Sequence, residues 1–255
     1  MFDKLKKLFV NEDKNQESCC DFDIEEIEPE ENAVKKKVVK EKYSRIIKGE
    51  FEMDCCSADN DQQIPSFGVG DPLKFADLQS KERVLDIGSG PGKNCLQAAE
   101  EVGEKGQVVG LDISEDMITA ADKEARKQEI ENIKFVVGDA EKIPFDDQYF
   151  DVVISDCVLN LVPDKKKAFK EINRVLKQGG RIAISDVVSS KTFPTDLKQD
   201  EKLWCGCVSG ALPEEEYLQI IKESGFKNLE VVEKKETEQQ FEDIKIFHIT
   251  VTAVK

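Results

Sequence analysis

A glycine-rich turn, Gly88-Ser89-Gly90-Pro91-Gly92, follows the apolar residues Val84, Leu85 and Ile87, with the acid Asp86 set among them. Glycines at the junction of a buried strand and a helix let the backbone take positive φ and approach a ligand closely. The helix N-terminus then points at the same spot. About 20 residues on, Val108-Val109-Gly110-Leu111 ends in Asp112, where a carboxylate can accept hydrogen bonds from ribose hydroxyls. A third run, Ile133 to Val137, ends in Gly138-Asp139-Ala140, with Asp139 and the Ala140 amide set to read a purine edge. Together these motifs mean nucleoside binding. Asp86, directly before the glycines, would repel a pyrophosphate but suits a cationic amino-acid group.

Cysteine is the second chemical signal. Of the eight cysteines, Cys157 follows a fourth apolar run, Cys207 lies in a long interruption beside Cys205, and Cys55-Cys56 lie in a loop ahead of the first strand. Cys157, Cys207 and the Cys55-Cys56 pair are predicted to meet at the mouth of the crevice. Soft thiolates select soft acceptors, and an atom with an exposed lone pair needs no general base. The one histidine, His248, falls in the alternation of a C-terminal strand, so it reads as a strand residue and not as a base. Asp156 stays open as a base. Cys95, on the first helix after the glycines, reads as a small buried hydrophobe. Zinc-ribbon C-x-x-C pairs are missing, and adjacent cysteines chelate one tetrahedral ion poorly.

These residues need a scaffold of alternating strands and helices. Strands are expected at Arg83–Ile87, Gln107–Asp112, Ile133–Val137, Asp151–Ser155 and Arg181–Ser185. Helices are expected from about Asn94 to Val102, after Ser114 as N-cap to near Gln128, and from Lys165 to Leu176 after Asp164. Near-continuous apolar strands alternating with helices mean a parallel sheet covered on both faces. Two last strands, near Asn228–Lys234 and Ile244–Val254, would add an antiparallel C-terminal edge. The fold class is therefore α/β, a Rossmann-like, mostly parallel seven-stranded sheet. Residues 1–32, with Cys19-Cys20 and a dense acidic run, read as a disordered tail. Residues 33–72 read as a helix and lid loop, with Val34, Val38, Val39, Tyr43, Ile46 and Ile47 on one stripe. Residues 73–255 form the domain proper, with an insertion at 187–212.

A formal net charge of −16 argues against nucleic acid or an anionic membrane as main partner. No apolar run is long enough to span a membrane. Met1 to Val10 is a Lys-rich amphipathic pattern without a signal peptide's apolar core, which leads to the expectation of a cytoplasmic, reducing location where cysteines stay as thiols.

The stretch from Val84 to Gly92 resembles the first motif of the class I methyltransferases, whose cofactor is S-adenosyl-L-methionine. Gly138 to Phe145 resembles the third motif of their small-molecule members. More specifically, Ser155-Asp156-Cys157-Val158-Leu159-Asn160-Leu161-Val162-Pro163-Asp164-Lys165 and Cys207-Val208-Ser209-Gly210-Ala211-Leu212 resemble signature runs of the arsenite S-adenosylmethionine methyltransferases. Val39-Lys40-Glu41-Lys42-Tyr43 followed by Cys55-Cys56 is similar to that family's N-terminal helix and vicinal cysteines. The resemblance implies a cofactor site of Asp86, Gly88, Ser89, Gly90, Gly92, Asp112, Ile113, Met117, Asp139, Ala140 and Asp156. It also implies that Cys157 and Cys207 hold trivalent arsenic, with Cys55, Cys56 and Cys205 as further candidates. The substrate would be arsenite or its thiol adducts, the role detoxification, and the partner a thiol reductant, either a small thiol or a thioredoxin-like protein. Where that family usually has Gly-Cys-Gly before the first strand, this chain has Gly68-Val69-Gly70. The alternatives are a quinone or small-molecule C-methyltransferase and, from another class, a thiol-based metalloid-binding protein.

Overall fold

The computed structural model describes residues 29–50, 68–194, 210–241 and 243–255. Helix α1, Pro29–Ile47, comes first. A short helix α2, Leu73–Ala76, then leads into β1, Arg83–Ile87; α3, Lys93–Val102; β2, Gln107–Asp112; α4, Glu115–Lys127; and β3, Ile133–Val137. The second half has β4, Phe150–Asp156; a 3-10 turn at Leu159–Leu161; α5, Lys165–Val175; β5, Leu176–Ser189; α6, Glu214–Glu223; β6, Lys227–Phe241; and β7, Ile244–Val254. The seven strands form one sheet in the order β3-β2-β1-β4-β5-β7-β6. β1 to β5 run parallel, and β7 is antiparallel to both β5 and β6.

Strand alternation explains why both faces are covered. Leu85, Ile87, Val109 and Val153 point into a core shared with α5 and α6, while Val84, Val108, Val152 and Ile154 point into one shared with α2, α3 and α4. On the first side, Phe169 of α5 meets the ring of Tyr217 of α6 edge-on at 5.7 Å, and both are fully buried. The two N-caps named from sequence act as such: Ser114 Oγ accepts from Met117 N and Asp164 from Lys167 N.

Four expectations change. Helix α1 begins at Pro29, inside the stretch assigned to the tail; proline's fixed φ suits a first helical turn. Val34, placed on the buried stripe, is 56% exposed. β5 runs through Gly179-Gly180 and on to Ser189, so Val187–Ser189 belong to the sheet and not to an insertion. The reason is β7, which pairs with β5 from Arg181 to Ser189 and extends it past the parallel register. β6 likewise reaches Phe241, with register shifts along the way. Residues 1–28, the loop carrying Cys55-Cys56, and the segment with Trp204, Cys205 and Cys207 lie outside the described residues.

Truncating Phe169 to alanine removes a ring from the centre of the α5–α6 core. The expected cost is about 3–5 kcal/mol of unfolding free energy, read by urea denaturation; a cost near zero would contradict this packing.

Candidate active site

Strands β1 to β4 carry the glycine turn, Asp112, Gly138-Asp139 and Asp156-Cys157 to one edge of the sheet, and α1 lies across it. The cleft between them spans about 1060 Å³ when its open mouth is counted. Its walls include Gly88, Ser89 and Gly90, Asp112 to Ile113, Met117, Asp139 to Ala140, and Asp156 to Val158.

The turn is shaped by two different needs. Gly88 has φ +71, and a Cβ there would lie 2.0 Å from Val158 Cγ2. Gly90 has φ +52 with open space beside it, so backbone conformation alone asks for glycine. Gly90 N donates to Asp112 Oδ2 at 2.9 Å and Ser114 N to Asp112 Oδ1 at 2.8 Å. Asp112 thus ties the turn to the start of α4, and a carboxylate's remaining lone pairs are left for a ligand. Burial pushes Asp112 above the usual carboxylate range, against the amides of Ser114, Gly90 and Ile113.

Two residues assigned to the cofactor stand behind the wall. Asp86 is 2% exposed, and its Oδ2 accepts the Cys95 thiol at 3.2 Å. Burial pushes Asp86 up to about 7; the Cys95 bond opposes this, and the charges of Asp156 and Asp112 add to it. The same surroundings push Cys95 well above an ordinary thiol, burial first and the Asp86 charge second, so it is an inert packing residue. At Gly92 a Cβ would fall 2.9 Å from the Phe135 ring, so that glycine lets α3 approach the sheet.

Asp156 is an anchor. It accepts from Val69 N at 2.9 Å and Gly70 N at 3.2 Å, and a Cβ on Gly68 would overlap its Oδ2 at 1.7 Å. Burial raises it to about 6 against those two amides. Next to it Cys157 is 3% exposed with φ +58. It shares an apolar cluster with Leu161, Val187 and Phe193, against which Val38, Val39, Tyr43 and Val69 pack. Val69, the departure from Gly-Cys-Gly, therefore faces the same cluster as Cys157. His248 sits on β7, opposite Val187 and Lys235, and does not line the cavity. Burial lowers its pKa.

Helix α1 closes the cavity with Lys36, Val39 and Tyr43. Lys36 Nζ lies 2.7 Å from Asp139 and 2.6 Å from Glu141. Burial lowers its pKa, but the hydrogen bonds and charges of those acids outweigh this and raise it. Lys40 pairs with Glu115, Lys48 with Asp116, and Ser44 Oγ is 3.0 Å from Ser114 Oγ. Such exposed pairs are screened by solvent, and each contributes little by itself. The acids in the first turn of α4 therefore also help dock α1. Sequence reasoning missed Lys36, Lys93, Asn94 and Leu161 to Pro163 as lining residues. The apolar stripe of α1 pointed to Val39 and Tyr43, but Lys36 lies off that stripe and carried no signal.

Acids at the ends of β2 and β4 line the cavity together with Lys36 and Lys93, and Asp86 lies buried behind the glycines. Residues 78–225 match the family model described as a methyltransferase domain. The chain is 41% identical over 176 residues to an arsenite methyltransferase of Halobacterium salinarum, covering 69% of this chain and 45% of the relative. It is 34% identical over 188 residues to an arsenite methyltransferase of Homo sapiens, covering 68% and 50%. The chain thus spans about half the length of these curated relatives. Among solved structures, an arsenic(III) S-adenosylmethionine methyltransferase from Chlamydomonas reinhardtii superposes with a TM-score of 0.66 at 25% identity, covering 84% of this chain and 73% of that one.

Asp86→Asn reads the electrostatics of this edge. Between the ordinary 3.8 and about 7, folded Asp86 keeps a proton that the unfolded chain releases. Ligand-free stability therefore falls as pH rises through this window, and the penalty is complete above it. Asp86→Asn should be more stable than the parent by about 1 kcal/mol or more near about pH 8, with the gain shrinking toward about pH 4. No gain in urea titrations at the higher pH would contradict the assignment.

Proposed function

Because this chain belongs to the methyltransferase-domain family, we propose that it transfers a methyl group from S-adenosyl-L-methionine to trivalent arsenic held by cysteine thiolates. The observation that carries the reading is Cys157. A buried thiol lines the same cavity as the glycine turn and the two strand-end acids.

The cofactor supplies a methyl carbon on a positively charged sulfur, which a soft lone pair displaces without a base. Gly88 and Gly90 would let the backbone approach its amino-acid part, and a cationic group there would favour the ionised form of Asp86 behind them. Asp112 offers lone pairs to the ribose, and Asp139 with the Ala140 amide reads the purine. Val39, Tyr43 and Lys36 exclude water from above. Cys157 exchanges its thiol proton for a bond to arsenic, releasing hydroxide as water or a carrier thiol. The arsenic lone pair stays free to attack. The Cys157 thiolate selects a soft, neutral acceptor; Cys207 supplies the second sulfur, with Cys55, Cys56 or Cys205 as candidates for a third.

We infer further that the substrate arrives as arsenite or its thiol adducts, and that methylation, which formally oxidises arsenic, draws on a thiol reductant of small-molecule or thioredoxin-like type. A cytoplasmic detoxifying role fits that chemistry. No helix among the described residues is long and apolar enough to cross a membrane. A quinone C-methyltransferase would need a group to activate carbon. Among the described residues His248 lies off the cavity, and Asp156 lines it with Oδ1 taken by two amides, so Asp156→Asn with a quinone acceptor tests that second reading.

The test is methyl transfer from labelled S-adenosylmethionine by purified protein with arsenite and a thiol. Cys157→Ser should lower kcat by about 100-fold or more while S-adenosylhomocysteine affinity changes less than about threefold. Transfer that is unaffected by Cys157→Ser, or that goes only to a quinone, would overturn the reading.

A further inference from the structure

Behind the acceptor end of the cavity lies a second set of buried polar groups that methyl transfer does not use. Lys165 is 7% exposed, and Asp186 and Tyr217 are fully buried. Lys165 opens α5, and its ammonium donates to the carbonyls of Asn160 at 2.9 Å and Val162 at 3.0 Å. Asp186, on β5, accepts from Val187 N and from the Tyr217 hydroxyl of α6, both at 2.9 Å. It also accepts from the backbone N–H of Asn160. Two opposite charges thus grip one peptide unit's neighbours: Asp186 takes the N–H of Asn160, and Lys165 takes its carbonyl. Burial pushes Lys165 down and Asp186 up, and each charge limits the shift of the other.

What they grip is the loop that carries the thiol. It closes as a 3-10 turn, Leu161 N donating to Val158 O and Val162 N to Leu159 O. Cys157, at its head, has φ +58, left-handed for a residue with a Cβ. Its N–H donates to Ser185 O at 2.8 Å, one residue before Asp186. A sparsely populated backbone conformation persists only where its surroundings over-determine it. Leu161, Val162 and Pro163 of the same loop line the cavity.

Burying a charge is costly unless it is hydrogen-bonded, and both charges here spend hydrogen bonds on the same loop: Lys165 on its carbonyls and Asp186 on its N–H. We infer that Lys165 and Asp186, braced by Tyr217, are positioning residues that fix residues 157–163 so that the Cys157 thiol faces the methyl-donor cavity. This rests on the reading of Cys157 as the arsenic ligand.

The test uses the full chain. Lys165→Met removes the ammonium, Lys165→Arg keeps a charge, and Tyr217→Phe removes only the hydroxyl bond to Asp186. The direct readout is the rate at which iodoacetamide alkylates Cys157, followed by peptide mass spectrometry, which needs no methyl transfer. S-adenosylhomocysteine affinity by calorimetry and the arsenite KM and kcat accompany it. Lys165→Met should change the Cys157 alkylation rate by about fivefold or more. It should lower kcat/KM for arsenite by about tenfold and leave S-adenosylhomocysteine affinity within about twofold. Lys165→Arg should recover part of the loss, and Tyr217→Phe should move both readouts in the same direction by about two- to threefold. If Lys165→Met fails to fold, Tyr217→Phe alone decides. An unchanged alkylation rate in the folded variants would overturn the inference. So would a parallel rise in Cys95 alkylation with loss of S-adenosylhomocysteine affinity, the mark of general loosening. If the parent does not methylate arsenite, the alkylation rates still decide the positioning role.

Discussion

Strand β1 is hydrogen-bonded in parallel to β2 on one side and to β4 on the other, and the chain leaves β1 and β4 toward opposite faces of the sheet. Helix α3 packs with one core and α5 with the other. Where successive connections diverge in this way, no helix covers the carboxyl ends of the two strands, and a crevice is left open. Everything chemical in the described residues is arranged around that gap. The glycine turn comes from the β1 side and Asp156-Cys157 from the β4 side, with α1 laid over both.

The same geometry sets the electrostatics. Asp86, Asp112 and Asp156 converge on one edge, and burial pushes all three above their ordinary range. Lys36 and Lys40 of α1, with Lys48 just past its end, answer acids at the rim, but none of these pairs involves the three converging acids. Raised by burial, the three acids hold protons more readily than ordinary carboxylates, and a ligand bearing an ammonium and a sulfonium would favour their ionised forms.

Much of this was legible in the sequence, because local chemistry and tertiary role coincide there. β1, β2 and β3 end where their apolar runs end, and Ser114 and Asp164 are caps of the expected kind. Where residues have two roles, the sequence reading named only one. Asp112 reads as a ribose acceptor and also pins the glycine turn; Asp156 reads as a candidate base and holds the Val69–Gly70 amides. Lys165 reaches carbonyls only five and three residues away, but the extension of β5 to Ser189 depends on β7, and the bracing of Asp186 depends on Tyr217, 31 residues on. No local pattern encodes such a partner. Val69 shows the opposite case: it departs from a motif, yet its place beside Cys157 emerges only once the 68–70 turn is folded onto Asp156.

The central claim is that the thiol at the β4 end of the crevice holds the acceptor. The most direct measurement is X-ray absorption at the arsenic edge on the arsenite complex of the full chain, compared with Cys157→Ser and with no added thiol. The account predicts a first shell of sulfur in the parent that loses one sulfur neighbour in the variant. An oxygen-only shell in the parent, or a sulfur shell identical in the two proteins, would contradict it.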